Sequence, residues 1–287
     1  MPSPASTLVG VVEELWRYPV KSMIGERLTA TEVTESGLVG DRAYALRDTS
    51  DGKIATAKNP RKWPNLFDYG AALTGVAAAG EKLPPARITL PDGTTISTEQ
   101  PDAARILSAA LKREVRLEKI DGNSRDAAAS NKETSQEISE EYWLDMEGLE
   151  HRDTVTDFNL PDGTFFDTAT VHILTTATLE RLHELYPEGR FAVPRFRPNI
   201  VMSPTDGSSG FVENAWLSRI VAIGESLRLK IELNCARCVM TTLAQRDLPK
   251  DPGILRTVAQ HNQVNVGVYA SVLRGGKIQR GDSIRLE

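Results

Sequence analysis

From Ala86 to Thr98 the chain reads ARITL-PDG-TTIST, apolar and polar residues alternating on both sides of a Pro-Asp-Gly turn. A period of two is strand patterning, and the turn triplet joins the two runs into a hairpin. The same punctuation limits the whole fold: short β-prone runs cut by Gly, Pro and Asp cannot build a helical bundle. SGLVGDRAYALRDTSDGKIAT (36–56) reads as a second hairpin around DTSDG, and REVRLEKI (113–120) as a strand. RIVAIGESLRLKIE (219–232) and VGVYASVLRGGKIQRGDSIRLE (266–287) are β-rich, the latter with an RGG turn.

Two stretches carry helical spacing. In PDAARILSAALKRE (101–114), Ile106, Leu107, Ala110 and Leu111 share one face and Asp102 is the N-cap candidate. VHILTTATLERLHELYPEG (171–189) runs strand, cap, helix. Thr175 or Thr176 caps it, Leu179, Leu182 and Leu185 form the buried stripe, and Pro187 with Gly189 stops it. The expected class is mainly β with short helices (α+β), the sheets closing as barrels.

At 287 residues the chain exceeds the usual size of one domain. Residues 121–141, DGNSRDAAASNKETSQEISEE, are polar and nearly free of large apolar groups, which marks a linker or mobile loop. The expected division is 1–120 and 121–287. A net charge of −5 argues against a nucleic-acid-binding regulator. No run approaches the roughly eighteen apolar residues of a membrane span, and the first residues lack a signal-peptide pattern. A cytoplasmic protein without a membrane anchor is expected.

Both cysteines lie in NCARCVMTT (234–242). A dithiol redox pair would sit at a helix N-terminus after a strand, yet this segment is β-prone on both sides. A structural zinc site wants four ligands, and His151, His172, His183 and His261 are not spaced as a pair. Two inert buried thiols, or one thiolate ligand to a soft metal, also remain open. Arg237 directly precedes Cys238, and a guanidinium beside a thiol favours the thiolate.

Other cations sit among aromatic, Pro, Gly and aliphatic residues, where an unpaired charge is costly. RYPVKSM holds Lys21 and Ser22, GLVGDRAYAL holds Arg42, and RFRPNIVM holds Arg197 and Asn199. Convergent Lys and Arg with hydroxyl or amide donors suit an anionic phosphate.

The ordered set LWRYPVKSM, GLVGDRAYAL, RFRPNIVM, IGESLRL, CARCVMTT and GVYASVLRGGKIQRGD resembles the MOSC family, named for the molybdenum cofactor sulfurase C-terminal domain. The resemblance runs from about residue 9 to 287 and includes the family's N-terminal β-barrel domain. Within the family the chain most resembles the mitochondrial amidoxime-reducing components and their bacterial relatives.

That resemblance implies a molybdenum cofactor (Mo-molybdopterin) held between an N-terminal β-barrel domain and a β-barrel MOSC domain. It implies Cys238 as the catalytic residue and protein ligand to the metal. Lys21, Ser22, Arg42, Thr175, Thr176, Arg197, Asn199, Ala236, Arg237 and Tyr269 match the family's cofactor-binding positions. The implied activity is reduction of N-hydroxylated substrates such as amidoximes. A separate electron donor is implied with it, a cytochrome b5-like or ferredoxin-like carrier with a flavoprotein reductase. The alternative is a cofactor carrier or sulfuration-related binding protein without reductase activity. Asn214 in FVENAW stands where relatives often carry an acidic residue.

Overall fold

The computed structural model describes residues 6–120, 136–146 and 153–287. Seven strands close into a barrel: Thr7–Arg17, Ile200–Pro204, Val171–Thr175, Asn265–Arg274, Leu227–Ala236, Ile220–Ile223 and Ser283–Leu286, in that spatial order. The first strand closes the ring, pairing Leu15 with Ile200 on one side and Thr7 with Leu286 on the other, both antiparallel. Closure removes the open sheet edges, and the inward-facing residues fill the interior. Val12, Leu15, Ile173, Ile200, Leu229, Ile231 and Val268 form that core, each at most 2% exposed. The expected β class with short helices is what the structure shows.

The rest of the first part is built from smaller sheets. Gly70–Leu73, Ala86–Thr89 and Thr95–Ser97 form one antiparallel sheet that contains the expected 86–98 hairpin. Tyr44–Asp48 pairs with Val115–Lys119. These surround a separate core that includes Val20, Met23, Trp63, Leu66, Tyr69, Ile88 and Leu107. Gly276–Gln279, from the last part of the chain, pairs with Ala30–Thr34. The proposed division at residue 120 therefore has to accommodate two exchanges, Thr7–Arg17 into the barrel and Gly276–Gln279 out of it.

Four helices occur among the described residues: α1 (Ala103–Leu111), α2 (Thr176–Leu185), α3 (Val193–Phe196) and α4 (Pro252–Asn262). α2, α3 and α4 pack through Leu182, Phe196, Ile254 and Val258 against Leu174 and Val266 of the barrel. In α2 Leu182 is fully buried while Leu179 is half-buried at the edge of this cluster.

Three expectations are qualified by the structure. The 36–56 segment does turn back on itself at DTSDG, with Arg47 and Ile54 bridged antiparallel and the Asp48 and Ala55 N–H groups donating to the Lys53 and Leu46 carbonyls at 2.9 and 2.7 Å. That pairing is short, and Tyr44–Asp48 takes Val115–Lys119 as its longer partner while Ile54 also bridges to Ser139. Asp102 precedes α1 without capping it by side chain, since its carboxylate accepts from Gln100 and Arg105 at 2.6 Å each. The polar stretch 121–141 lies outside the described residues as far as 135. Its end enters the strand Ile138–Trp143, which pairs with Thr154–Asn159.

Thr175 is the N-cap of α2 and accepts from the Thr178 N–H at 3.1 Å. Its hydroxyl donates to Glu213, as does that of Thr178, both at 2.7 Å to Oε2. Glu213 is 1% exposed and its Oε1 has no partner. Burial raises its pKa against the pull of the two hydroxyls. A carboxyl with a raised folded pKa contributes stability below its unfolded pKa, and that stability is lost as pH rises through the folded value. Glu213→Gln keeps an acceptor oxygen and cannot ionise. Its thermal midpoint relative to wild type should therefore rise from about pH 4 to about pH 8; a constant difference across that range would exclude the assignment.

Candidate functional site

Where the barrel meets the core of the first part lies a cavity of about 280 Å³. The strand Thr7–Arg17 runs straight into Tyr18-Pro19-Val20-Lys21-Ser22, so barrel closure delivers Lys21 and Ser22 to its wall. Arg197 follows α3, Cys238 follows the strand Leu227–Ala236, and Tyr269 lies on the strand Asn265–Arg274. Ser22, Arg42 and Arg197 have φ of 63°, 48° and 54°. A non-glycine residue in the left-handed region is sparsely populated and strained, and such residues gather at ligand sites.

Of the eleven residues singled out in the sequence, nine line the cavity: Lys21, Ser22, Arg42, Arg197, Asn199, Ala236, Arg237, Cys238 and Tyr269. Thr175 and Thr176 do not. Thr175 is spent on the α2 cap and on Glu213, and Thr176 is the first residue of that helix. Asn199 is already engaged, donating to Asp41 at 2.9 Å and accepting from the His172 N–H at 3.1 Å. Ser22 Oγ accepts from the Ala57 N–H at 3.0 Å.

The sequence reading missed Lys58, Glu141, Asp167 and His172, which also line the cavity. Each is a polar residue in an unremarkable local context, so no motif marks it. Lys21 is buried, donates to the Phe165 carbonyl at 2.8 Å and pairs with Asp167. Lys58 pairs with Glu141 at 3.3 Å and with Asp167 at 3.5 Å. Burial lowers the Lys21 pKa against the pull of Asp167. Burial also works to raise Asp167, but Lys21 and Lys58 outweigh it and hold the carboxyl well below its usual range. Burial, then Arg42, brings Arg197 down to about 10.

The two cysteines face different surroundings. Cys238 lines the cavity and packs against the core of the first part, whereas Cys235 is 0% exposed. The segment after Cys238 is a single 3-10 turn, Val239–Thr242, and not a helix of the kind a dithiol redox site uses. Arg237 donates to Cys235 Sγ and, at 2.9 Å, to the Phe196 carbonyl. The expectation that Arg237 is chiefly the companion of Cys238 is therefore corrected. Burial opposes a thiolate at Cys235, but Arg237 and then His172 outweigh it and lower the pKa. Burial pushes the Cys238 thiol up to about 11, Lys58 and Arg237 pulling it down and Glu141 pushing it further up.

What would such a site hold? Five cationic side chains, Lys21, Lys58, Arg42, Arg197 and Arg237, meet three carboxylates, Asp41, Asp167 and Glu141. Arg237 Nε is buried without a hydrogen-bond partner, a cost that an anion in the cavity would relieve. Among the described residues no group of three His, Cys, Asp or Glu could hold a metal ion. A metal at Cys238 would have to bring most of its own ligands. One thiol beside a cation-lined cavity fits a metal carried by an anionic organic cofactor.

A MOSC N-terminal beta barrel domain is matched over residues 9–129 and a MOSC domain over 161–285. The human mitochondrial amidoxime-reducing component 1 is 29% identical over 247 residues, covering 82% of this chain and 66% of that protein. The chain thus spans just under two thirds of the human protein's length. Rat mitochondrial amidoxime reducing component 2 is 26% identical over 307 residues, covering 96% of this chain and 83% of that protein. The crystal structure of the YuaD protein from Bacillus subtilis superposes with a TM-score of 0.47 at 11% identity, over 97% of this chain and 95% of that one.

Arg195, fully buried, fastens the site from behind. It donates to the carbonyls of Arg190 (2.9 Å), Thr241 (3.1 Å), Leu243 (3.0 Å) and Pro249 (2.7 Å). Removing the guanidinium takes the donor from four carbonyls, that of Thr241 buried and the others partly so. Arg195→Met should cost about 2–4 kcal/mol of stability in denaturant unfolding and raise amide exchange across residues 239–243. Unchanged exchange there would show that the segment is held by other contacts.

Proposed function

This chain belongs to the MOSC family, with both the N-terminal domain and the MOSC domain present, and on that premise we propose that it is a molybdenum-cofactor-dependent reductase of N-hydroxylated compounds such as amidoximes. One observation carries the reading: a single thiol, Cys238, opens onto a cavity crowded with cations and framed by both parts of the chain. The amidoxime-reducing components named above supply the reaction class. The overall change takes two electrons and two protons, breaks the N–O bond and releases water. When bound, the molybdenum cofactor supplies the two-electron centre for it.

The residues divide the remaining work. Arg42, Arg197, Arg237 and Lys21 hold and orient the anionic end of the cofactor, Arg through its planar donor fork. Cys238 is the protein's ligand to the metal. Phe165, Phe166 and Phe196 wall the cavity with apolar surface and limit water there, which strengthens the charge interactions inside. Lys58, charged on Nζ and paired with Glu141, keeps an exchangeable proton at the Cys238 end. No helix among the described residues is long and apolar enough to cross a membrane. We place the enzyme in the cytoplasm, taking electrons from a cytochrome b5-like or ferredoxin-like carrier reduced by a flavoprotein.

The test is metal and pterin analysis of protein made in a host that synthesises molybdopterin. Wild type should carry molybdenum, and Cys238→Ser should lose it together with benzamidoxime turnover under a chemical electron donor, by about a hundredfold or more. Wild type without molybdenum, or Cys238→Ser retaining it, overturns the ligand assignment. Fully loaded wild type that turns over no N-hydroxylated compound points instead to a cofactor carrier or a sulfuration-related binding protein.

A further inference from the structure

Two guanidinium groups, that of Arg197 buried and that of Arg42 largely so, lie close to one another in this cavity, and little hydrogen bonding holds them there. Among the described residues Arg42 makes one side-chain hydrogen bond, to Asp41, and Arg197 makes one, to the Met23 carbonyl at 2.6 Å. Like charges so placed repel, and each is long enough to swing away. What they share is an aromatic ring. The Arg42 guanidinium carbon lies 4.6 Å from the Tyr18 ring centroid and that of Arg197 lies 4.2 Å from it. Each also meets a second ring, Arg42 that of Phe166 at 5.7 Å and Arg197 that of Phe67 at 5.6 Å.

We infer that Tyr18 is the positioning residue of this anion site, the middle rung of a ladder Phe166–Arg42–Tyr18–Arg197–Phe67 that sets both guanidinium groups before the ligand arrives. The electron-rich ring faces attract both cations, and the attraction is larger when the groups are desolvated. Ring contacts use up no N–H donor, so the guanidinium N–H groups that make no protein bond stay available to an anion. The ladder is itself held still. Tyr18 is 1% exposed, its hydroxyl donates to the Pro198 carbonyl at 3.1 Å, and its N–H donates to Asp41 at 2.7 Å. Tyr18 is not among the cavity-lining residues, so it acts through the arginines and not by touching the ligand. Its rungs come from both parts of the chain, residues 18, 42 and 67 from one and 166 and 197 from the other. Setting the arginines and seating the two parts on each other are therefore one event.

The inference rests on reading the cavity as an anion site, and the experiment separates the two. Pyrophosphate is titrated calorimetrically into the cofactor-free full chain as wild type, Tyr18→Phe and Tyr18→Leu, with unfolding midpoints measured alongside. Tyr18→Leu should bind about tenfold more weakly and Tyr18→Phe within about twofold of wild type, since the ring and not the hydroxyl does the positioning. A merely structural tyrosine would lower the midpoint and leave the affinity of the folded protein alone; a folded Tyr18→Leu that binds as wild type overturns the ladder. If Tyr18→Leu does not fold, Phe67→Leu and Phe166→Leu report on the outer rungs, each with an expected loss of about threefold. Wild-type affinity in both outer-rung variants also overturns it. Wild type that binds no pyrophosphate overturns the anion reading and this inference with it.

Discussion

The structure depends first on one long-range closure. The strand Thr7–Arg17 lies between Ile200–Pro204 and Ser283–Leu286, and without it the barrel would present two open edges. Pairing across so much chain is slow to form, because loop-closure entropy is lost before the contacts reward it. The return is positional. Residues 18 to 22 leave that strand beside the Asn199 backbone, whose carbonyl accepts from the Trp16 N–H at 2.9 Å. YPVKS is thereby set against RFRPN without a separate docking step.

Charge is the second constraint. The cavity gathers more cations than carboxylates, an arrangement that is unfavourable away from water unless a counter-anion joins it. The protein lessens the cost in three ways: Asp41 and Asp167 neutralise part of the charge, backbone carbonyls accept from Lys21 and Arg197, and aromatic faces cover the guanidinium groups. Arg195 shows the opposite solution in the same segment. It is more deeply buried than Arg197, and carbonyls from several loops take up its donors. Two arginines separated by one residue thus do different work, one holding the scaffold and one facing the cavity.

How much of this was readable beforehand follows physical lines. Strand alternation, the 86–98 hairpin and the Thr175 cap are local, set by neighbouring residues, and the sequence carries them openly. The strand Tyr44–Asp48 was recognisable but its partner was not, since pairing with Val115–Lys119 depends on residues about seventy positions away. Asp102 is the N-cap residue of α1, yet its side chain makes no capping bond because Gln100 and Arg105 take its carboxylate. Asn214, noted as a departure, bonds Asn262 at 2.6 Å, and the buried acid of that turn is Glu213 one residue earlier.

The sequence by itself determined the β class and nine of the residues that meet in the cavity: cations and a thiol stand out against an apolar local context, and the resemblance to the family added positions such as Ala236 and Tyr269. Only the tertiary structure decided which thiol faces which surroundings. CARC ends a strand and enters a tight turn, so Cys235 is turned into the interior, where Arg237 reaches its sulfur from the cavity wall, while Cys238 opens on the cavity beside Lys58 and Glu141. It also decided that Thr175 serves a helix and Glu213, and that Tyr18 gathers two arginines from distant segments. Burial and like-charge proximity depend on the chain's global path, and spacing along the sequence does not encode them.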